Sequence, residues 1–441
     1  MLTPRPSERD AVVHYDVRRG VAVLTLDGPP TNALSHAVRS GLLSSIYRAE
    51  DDPDVHGIVL TGSARAFCAG GDIREFGTPA QKRSPRQVAI MEAIDACPKP
   101  VVAAISGVCL GGGLELAMAC HARVASADAV FGLPEIFLGL IPGGGGCQLL
   151  PRLLGMEAAT EMILSGRRQP AHELAGTLLL DRLVEGDAVP EAILLTSVLA
   201  AGSVPLRRSL DLQVSEFDRQ AWASDRQRWL DQSPGDPAAR GCLDAIALAP
   251  VLPFGEGQLR EFQILMALIA SPESQARRHL FAAERRFAAM LRPGSGRNND
   301  ARLEAARARL RLAADRASSV GDAMLQSAAL ANEGTRLLQE GLLEHAAQVD
   351  LVCVYDLGFT RREGGAMFQA DLKQLPVVVR RLQLQARVSP AADAAFWMPA
   401  ELLCQLADAG GSLAEQAAPQ GSTPTATLQA PPVTSSVTPV T

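Results

Sequence analysis

The stretch VCLGGGLELAMAC, residues 108–120, sets three glycines against an apolar run that carries a single carboxylate, Glu115. Leu114, Leu116, Ala117 and Met118 surround that acid, so a helix through the run is apolar on nearly every side, the pattern of a buried helix. Acids are rarely buried without a partner or a task. The glycines allow close approach to the backbone, and first-turn amides, which lack intrahelical acceptors, are donors for developing negative charge.

Two further stretches carry the same kind of chemistry. SARAFCAGGDIREF, residues 63–76, is a small-residue loop directly after the strand-like GIVLTG, and it offers a second backbone donor. In FGLPEIFLGLIPGGGG, residues 131–146, Glu135 follows Pro134 and again stands among apolar residues. The two glutamates are too far apart in sequence to share a helix face, so only the tertiary fold brings them together. Two amide donors and two carboxyls in an apolar pocket suit an acyl thioester that passes through an enolate: the donors stabilise its oxygen and the acids move protons at neighbouring carbons. Burial raises such carboxyl pKa values towards neutrality.

The surroundings predict a mixed architecture. From about Val12 to Pro170 short apolar strands alternate with amphipathic helices, as in GVAVLTLDG, SGLLSSIYRAEDD and GIVLTGS, and again in QVAIMEAIDACPKPVVAAISG, where Pro98 stops the helix. After Arg182 the strands fade, and Ala, Leu, Arg and Glu recur at helical spacing. EAARARLRLAADR reads as a solvated helix or linker, and the Pro, Ser and Thr of the final residues predict disorder. A 441-residue chain with 47% hydrophobic and 20% charged residues has material for more than one core. A net charge of −6 with scattered basic residues argues against nucleic acid. No apolar run is long enough to span a membrane and the start does not resemble a signal peptide, so a cytoplasmic location is expected. Eight cysteines without a C-x-x-C pair read as reduced core residues.

AFCAGGDI, GVCLGGGLELAMAC and FGLPEIFLGLIPGGGG, in this order, resemble the enoyl-CoA hydratase/isomerase (crotonase) family, and PPTNALS near the start fits as well. The resemblance implies an α/β crotonase-like spiral of ββα repeats followed by a mainly α-helical C-terminal half. It makes Glu115 and Glu135 the catalytic pair and the N–H groups of Ala69 and Gly112 the oxyanion hole. CoA or substrate contacts fall to Ala33, Gly71, Asp72, Ile73, Arg74, Gly111, Pro134 and Gly143. The implied reaction is hydration of a trans-2-enoyl-CoA, with Δ3,Δ2-isomerisation through Glu135 as an added capacity. LPFGEGQLREFQILMALIASPESQARRHLFAAERR is similar to the linker helix of multifunctional fatty-acid oxidation enzymes, and LANEGTRLLQEGLLEHAAQVDLVCVYDLGF resembles the end of their 3-hydroxyacyl-CoA dehydrogenase. Four segments are therefore expected: a hydratase/isomerase domain at 1–190, a linker region at 191–300, a dehydrogenase-like helical segment at 301–409 and a disordered tail at 410–441.

Other motifs weigh less. GEGQLR at 255 and GSGRNN at 294 lack the last glycine of a dinucleotide fingerprint and follow no strand, so no NAD is expected. HELAG at 172 lacks the second histidine of a zinc helix, and no metal is expected. Coenzyme A enters as part of the acyl-CoA substrate; the partners implied are a homo-oligomer or a separate dehydrogenase. The alternatives are a crotonase-fold thioester hydrolase or decarboxylase, and a degenerate multifunctional enzyme that docks a partner.

Overall fold

The computed structural model describes residues 12–63, 66–202, 204–291 and 299–418. Residues 292–298, which include most of the GSGRNN stretch, and the sequence from 419 onwards, which holds most of the expected disordered tail, lie outside the described residues. The chain divides into two compact units, residues 1–278 and 279–441. The division between the units falls within the expected linker region, residues 191–300, most of which belongs to the first unit.

The first unit is built from repeated strand–strand–helix turns. β1 (Val13–Arg18) and β2 (Val21–Leu26) pair antiparallel and lead into α1 (His36–Asp51), whose N-cap Ser35 accepts from Val38 N. Then follow β3 (Gly57–Gly62), β4 (Ala66–Cys68) and α2 (Gln87–Ala96); β5 (Val101–Ile105), β6 (Val108–Leu110) and α3 (Gly112–Ala119); and β7 (Ala122–Ser126) with β8 (Val130–Gly132). The first turn gives both strands, and each later turn its first strand, to a sheet ordered β1-β2-β3-β5-β7-β10, while the second strands of the later turns enter a smaller one ordered β4-β6-β8-β9, β9 being Gln169–Pro170 and β10 Arg182–Val184. The large sheet is parallel from β2 onwards, with Leu60 opposite Ala103. Strands β2, β3 and β5 are apolar runs buried almost throughout, as strands covered on both faces must be. This is the ββα spiral the resemblance implies.

Helices α4 (Gly146–Leu154) and α5 (Met156–Ser165) follow, then β9 (Gln169–Pro170), β10 (Arg182–Val184) and α6 (Val189–Ala200). Ala188, Ala192 and Leu195 close one face of the large sheet over Val21, Val59, Val102 and Val124. α7 (Arg219–Gln232), α8 (Pro237–Ile246) and α9 (Phe254–Ile269) complete this unit, and the unit boundary falls inside α10 (Pro272–Arg286).

The second unit is helical: α11 (Asn299–Ser318), α12 (Ala323–Gln339), α13 (Ala346–Asp356), α14 (Ala366–Leu372), α15 (Leu375–Val388), α16 (Ala391–Trp397) and α17 (Glu401–Ala409). Its core gathers Leu310, Leu337, Val349, Met367, Leu382, Trp397 and Leu403. The charge-rich α11 is more than a solvated face. Ala306, Leu310, Ala313 and Ala317 recur at helical spacing and are buried.

Residues 410–418 correct the expectation of disorder from 410. Leu413 and Ala414 are buried, and Asp371 in α14 fixes the segment through Leu413 N at 2.7 Å, Ala414 N at 2.9 Å and Ser412 Oγ at 2.7 Å. Ala418 N reaches Glu344 O at 2.9 Å. A Pro/Ser/Thr-rich composition is averaged over the whole tail; one buried leucine and one capping aspartate suffice to order its first residues. Asp371→Ala is expected to cost about 1.5–3 kcal/mol, the usual loss of hydrogen bonds to a charged acceptor. Denaturant unfolding measures the loss, and hydrogen exchange should show Leu413 and Ala414 exposed first.

Candidate active site

The acid of the opening stretch lies where α3 starts. Gly111 precedes the helix at φ +53°, a conformation open to glycine, and a Cβ there would sit 2.6 Å from Glu135 Oε1. At Gly113 a Cβ would sit 2.3 Å from Cys68 O, so the glycine lets α3 press against β4. Glu115 is 2% exposed. Its Oε1 accepts from the N–H groups of Gly144 and Gly146, each at 2.8 Å, and its Oε2 from Gln87 Nε2 at 3.0 Å. Burial pushes its pKa up, and these donors oppose the rise because they favour the ionised form.

Glu135 has the contrasting environment. It sits in a short 3-10 turn, residues Pro134–Leu138, and its Oε2 is buried without a hydrogen-bond partner. Burial, reinforced by the charge of Glu115, pushes its pKa up to about 8. At neutral pH Glu135 is therefore mainly protonated, whereas the donors around Glu115 favour its ionised form.

Both glutamates line one cavity of about 120 Å3, with Gly71, Asp72, Gln87, Gly112, Gly143 and Gly144 on its wall and Leu140, Ile141, Phe262 and Leu265 as its apolar part. The structure thus brings together Glu115, Glu135, Gly71, Asp72, Gly112 and Gly143. Ala33, Ala69, Ile73, Arg74, Gly111 and Pro134 are not on this wall. Gly111 and Pro134 flank residues that are. Ile73 and Arg74 stand in the turn that Asp72 caps, accepting from Arg74 N at 3.0 Å. The Arg74 side chain is 89% exposed and paired with Asp72 at 2.8 Å.

The oxyanion assignment needs one correction. Gly112, in the first turn of α3, lines the cavity, but the Ala69 N–H is engaged by Thr31 O at 3.0 Å and is not free to meet a ligand. The capture comes from the PPTNALS loop, which also pairs Leu34 N with Gly70 O at 2.9 Å and Asn32 Nδ2 with Ala66 O at 2.7 Å. Two residues further on, Gly71 reaches the cavity.

Several participants escaped the sequence reading. Gln87 opens α2, Arg39 pairs with Glu75 at 2.9 Å on the cavity wall, and α9 supplies Gln258 and Glu261. Glu261 is completely buried and accepts from Gly145 N at 2.7 Å. A signal for it existed: Phe254, Gly257, Gln258, Glu261 and Leu268 are spaced as one buried helix face, with an acid in it. Among the described residues no group of His, Cys, Asp and Glu could hold a metal ion, and no helix is long and apolar enough to cross a membrane.

The carboxyl groups of Glu115 and Glu135 thus share one cavity with the first turn of α3, on a ββα spiral. Residues 16–215 match the enoyl-CoA hydratase/isomerase family. Among curated relatives, the chain is 40% identical over 273 residues to a peroxisomal bifunctional enzyme of Danio rerio, covering 61% of this chain and 37% of that protein. It is 48% identical over 151 residues to a probable enoyl-CoA hydratase of Bacillus subtilis, covering 33% of this chain and 58% of the relative. A solved structure of Pseudomonas aeruginosa DspI is 31% identical, with 52% of this chain and 99% of that one covered and a TM-score of 0.43. The chain spans little more than a third of the length of the bifunctional relatives it matches.

A carboxyl whose pKa rises on folding destabilises the native state as pH rises. With Glu135 at 4.5 when exposed and about 8 when folded, its contribution is complete below 4.5 and is lost on the way to about 8. Glu135→Gln removes this loss. The thermal midpoint of the variant should exceed that of the wild type by a margin that grows across this window and levels off above it.

Proposed function

We propose that the chain hydrates trans-2-enoyl-CoA thioesters to 3-hydroxyacyl-CoA thioesters. The observation that carries this reading is the division of labour between two carboxyl groups on one cavity wall: Glu115 with three donors and Glu135 with a free oxygen. Pairs of titratable groups in opposed environments are how a site separates its base from its acid.

The steps follow from those environments. Glu115 takes a proton from water as the water oxygen bonds to C3. The double-bond electrons move towards the thioester carbonyl, whose oxygen becomes an enolate. We assign its donors to the N–H of Gly112 and, in place of Ala69, that of Gly71. Glu135 then gives its proton to C2, and exchange with solvent restores both acids. The reaction is redox-neutral, so it needs no hydride acceptor; oxidation of the 3-hydroxy product is left to a separate dehydrogenase. Glu135, as a lone buried acid, also suits proton transfer between C4 and C2 in Δ3,Δ2-isomerisation. All eight cysteines are free and seven are buried, which supports a reducing compartment, and we propose the cytoplasm.

Glu115→Gln and Glu135→Gln are each expected to slow hydration of a short enoyl-CoA by about 10²–10⁴-fold, the usual worth of a positioned acid or base. Loss of the conjugated enoyl absorbance reports the rate and mass spectrometry the product. Near-normal turnover in both variants, or release of free CoA in place of the hydroxyacyl thioester, overturns the reading.

A further inference from the structure

The loop Gly143–Gly146 is held from two sides. The N–H groups of Gly144 and Gly146 donate to Glu115, while the Gly145 N–H between them donates to Glu261 Oε1 at 2.7 Å. Gly145 has φ +121°, so the alternation rests on a backbone conformation that side-chain-bearing residues avoid. Glu261 is the Gly145 N–H acceptor at hydrogen-bond length, Glu115 feeling the same amide more weakly, and α9, which carries Glu261, also anchors the loop through Gln258 Nε2 to Gly143 O at 3.3 Å. A glycine peptide with its middle amide unfastened has little to stop it rotating.

We propose that Glu261 is a positioning residue: by accepting the Gly145 N–H it fixes the peptide rotation that aims the Gly144 and Gly146 amides at Glu115. This rests on the reading of Glu115 as the base of the hydration, and adds that its ionised state is set by a carboxyl from α9 that does not line the cavity. Two amides and Gln87 hold Glu115; release of the loop removes two of these three donors at once. Glu261 acts on Glu115 through the backbone and touches no substrate.

A competing role has to be separated from this one. Glu261 also faces the buried Arg152 of α4, and acts on it and on Cys147 electrostatically; Glu115 in turn faces Glu135, Cys147 and Glu261. Were Glu261 chiefly a counter-charge, its charge would matter and its hydrogen bond would not. Burial holds the Glu261 pKa well above the usual carboxylate range; Glu261→Gln rules out ionisation and keeps an oxygen for Gly145, whereas Glu261→Leu keeps the volume and removes both.

The two variants are compared in the full chain by thermal unfolding, by kcat, KM and the pH profile of hydration, and by infrared titration of the Glu115 carboxyl, assigned by its loss in Glu115→Gln. Glu261→Gln should keep the Glu115 midpoint and most of the wild-type kcat. In Glu261→Leu the Glu115 midpoint should rise by about one unit or more, with kcat down about 10²-fold, as for misplaced catalytic groups, and KM little changed. Equal losses in both variants, or a Glu115 midpoint in Glu261→Leu that matches the wild type, overturn the proposal. The infrared titration needs no turnover, so it decides the role of Glu261 even if the wild type hydrates no enoyl thioester, an outcome that would count against the proposed function alone.

Discussion

The structure of the site depends on accommodating one carboxyl group, with donors that favour its ionised form, in a dry place. Glu115 lies on a helix that is buried all round, where an isolated charge costs several kcal/mol even after relaxation. Among the described residues no arginine or lysine bonds to it. Its compensation is two loop amides and one side-chain amide, each about the length of a charge-assisted hydrogen bond. Amides supply partial positive charge without supplying a counter-ion, so the negative charge remains available to a bound water. That choice explains the glycines: at Gly144 and Gly146 a Cβ would stand 2.5 and 2.9 Å from the carboxyl oxygens of Glu115.

The same choice explains Glu135. Because Glu115 is held by dipoles, its charge is felt across the cavity and contributes to raising Glu135. A lysine paired with Glu115 would cancel that field and let both acids ionise. The cost is borne by the fold, since an acid that resists ionisation makes the native state less stable as pH rises. Sites that carry chemistry commonly keep such local penalties, which the packed sheets and helices around them offset.

How much of this was legible in the sequence follows from what each residue type signals by itself. Glu115 and Glu135 stood out because an acid in an apolar run is anomalous, and strands β2, β3 and β5 because continuous valine, leucine and isoleucine runs have few alternatives. The pairing of β1 was not, since VHYDVR is half polar and is held by a hairpin to β2. Gln87 gives no sign at the start of an amphipathic helix; its role exists only because α2 and α3 meet. Ala69 shows a different limit. Every residue of a small-residue loop has an N–H, and which of them is free depends on the loop facing it, here Thr31 to Leu34. Glu261 was legible in principle, by the same anomaly as Glu115, but the resemblance of its helix to a linker drew attention to connectivity and away from its buried face.

These limits share a cause that also bears on how the site works. The groups that carry the chemistry are signalled by side-chain type, while those that tune it are mostly backbone amides, whose availability is decided by tertiary contacts. Amide donors fixed by packing do not dissociate, do not titrate and are little affected by salt, unlike surface ion pairs. A site tuned this way keeps its two acids apart in pKa over a range of solution conditions. It is correspondingly sensitive to any change that rotates a peptide, because a rotated amide withdraws its donor altogether. The long α9, packed through Gln258 and Glu261 on the loop Gly143–Gly146, is then as much a part of the electrostatics as the two glutamates it stands behind.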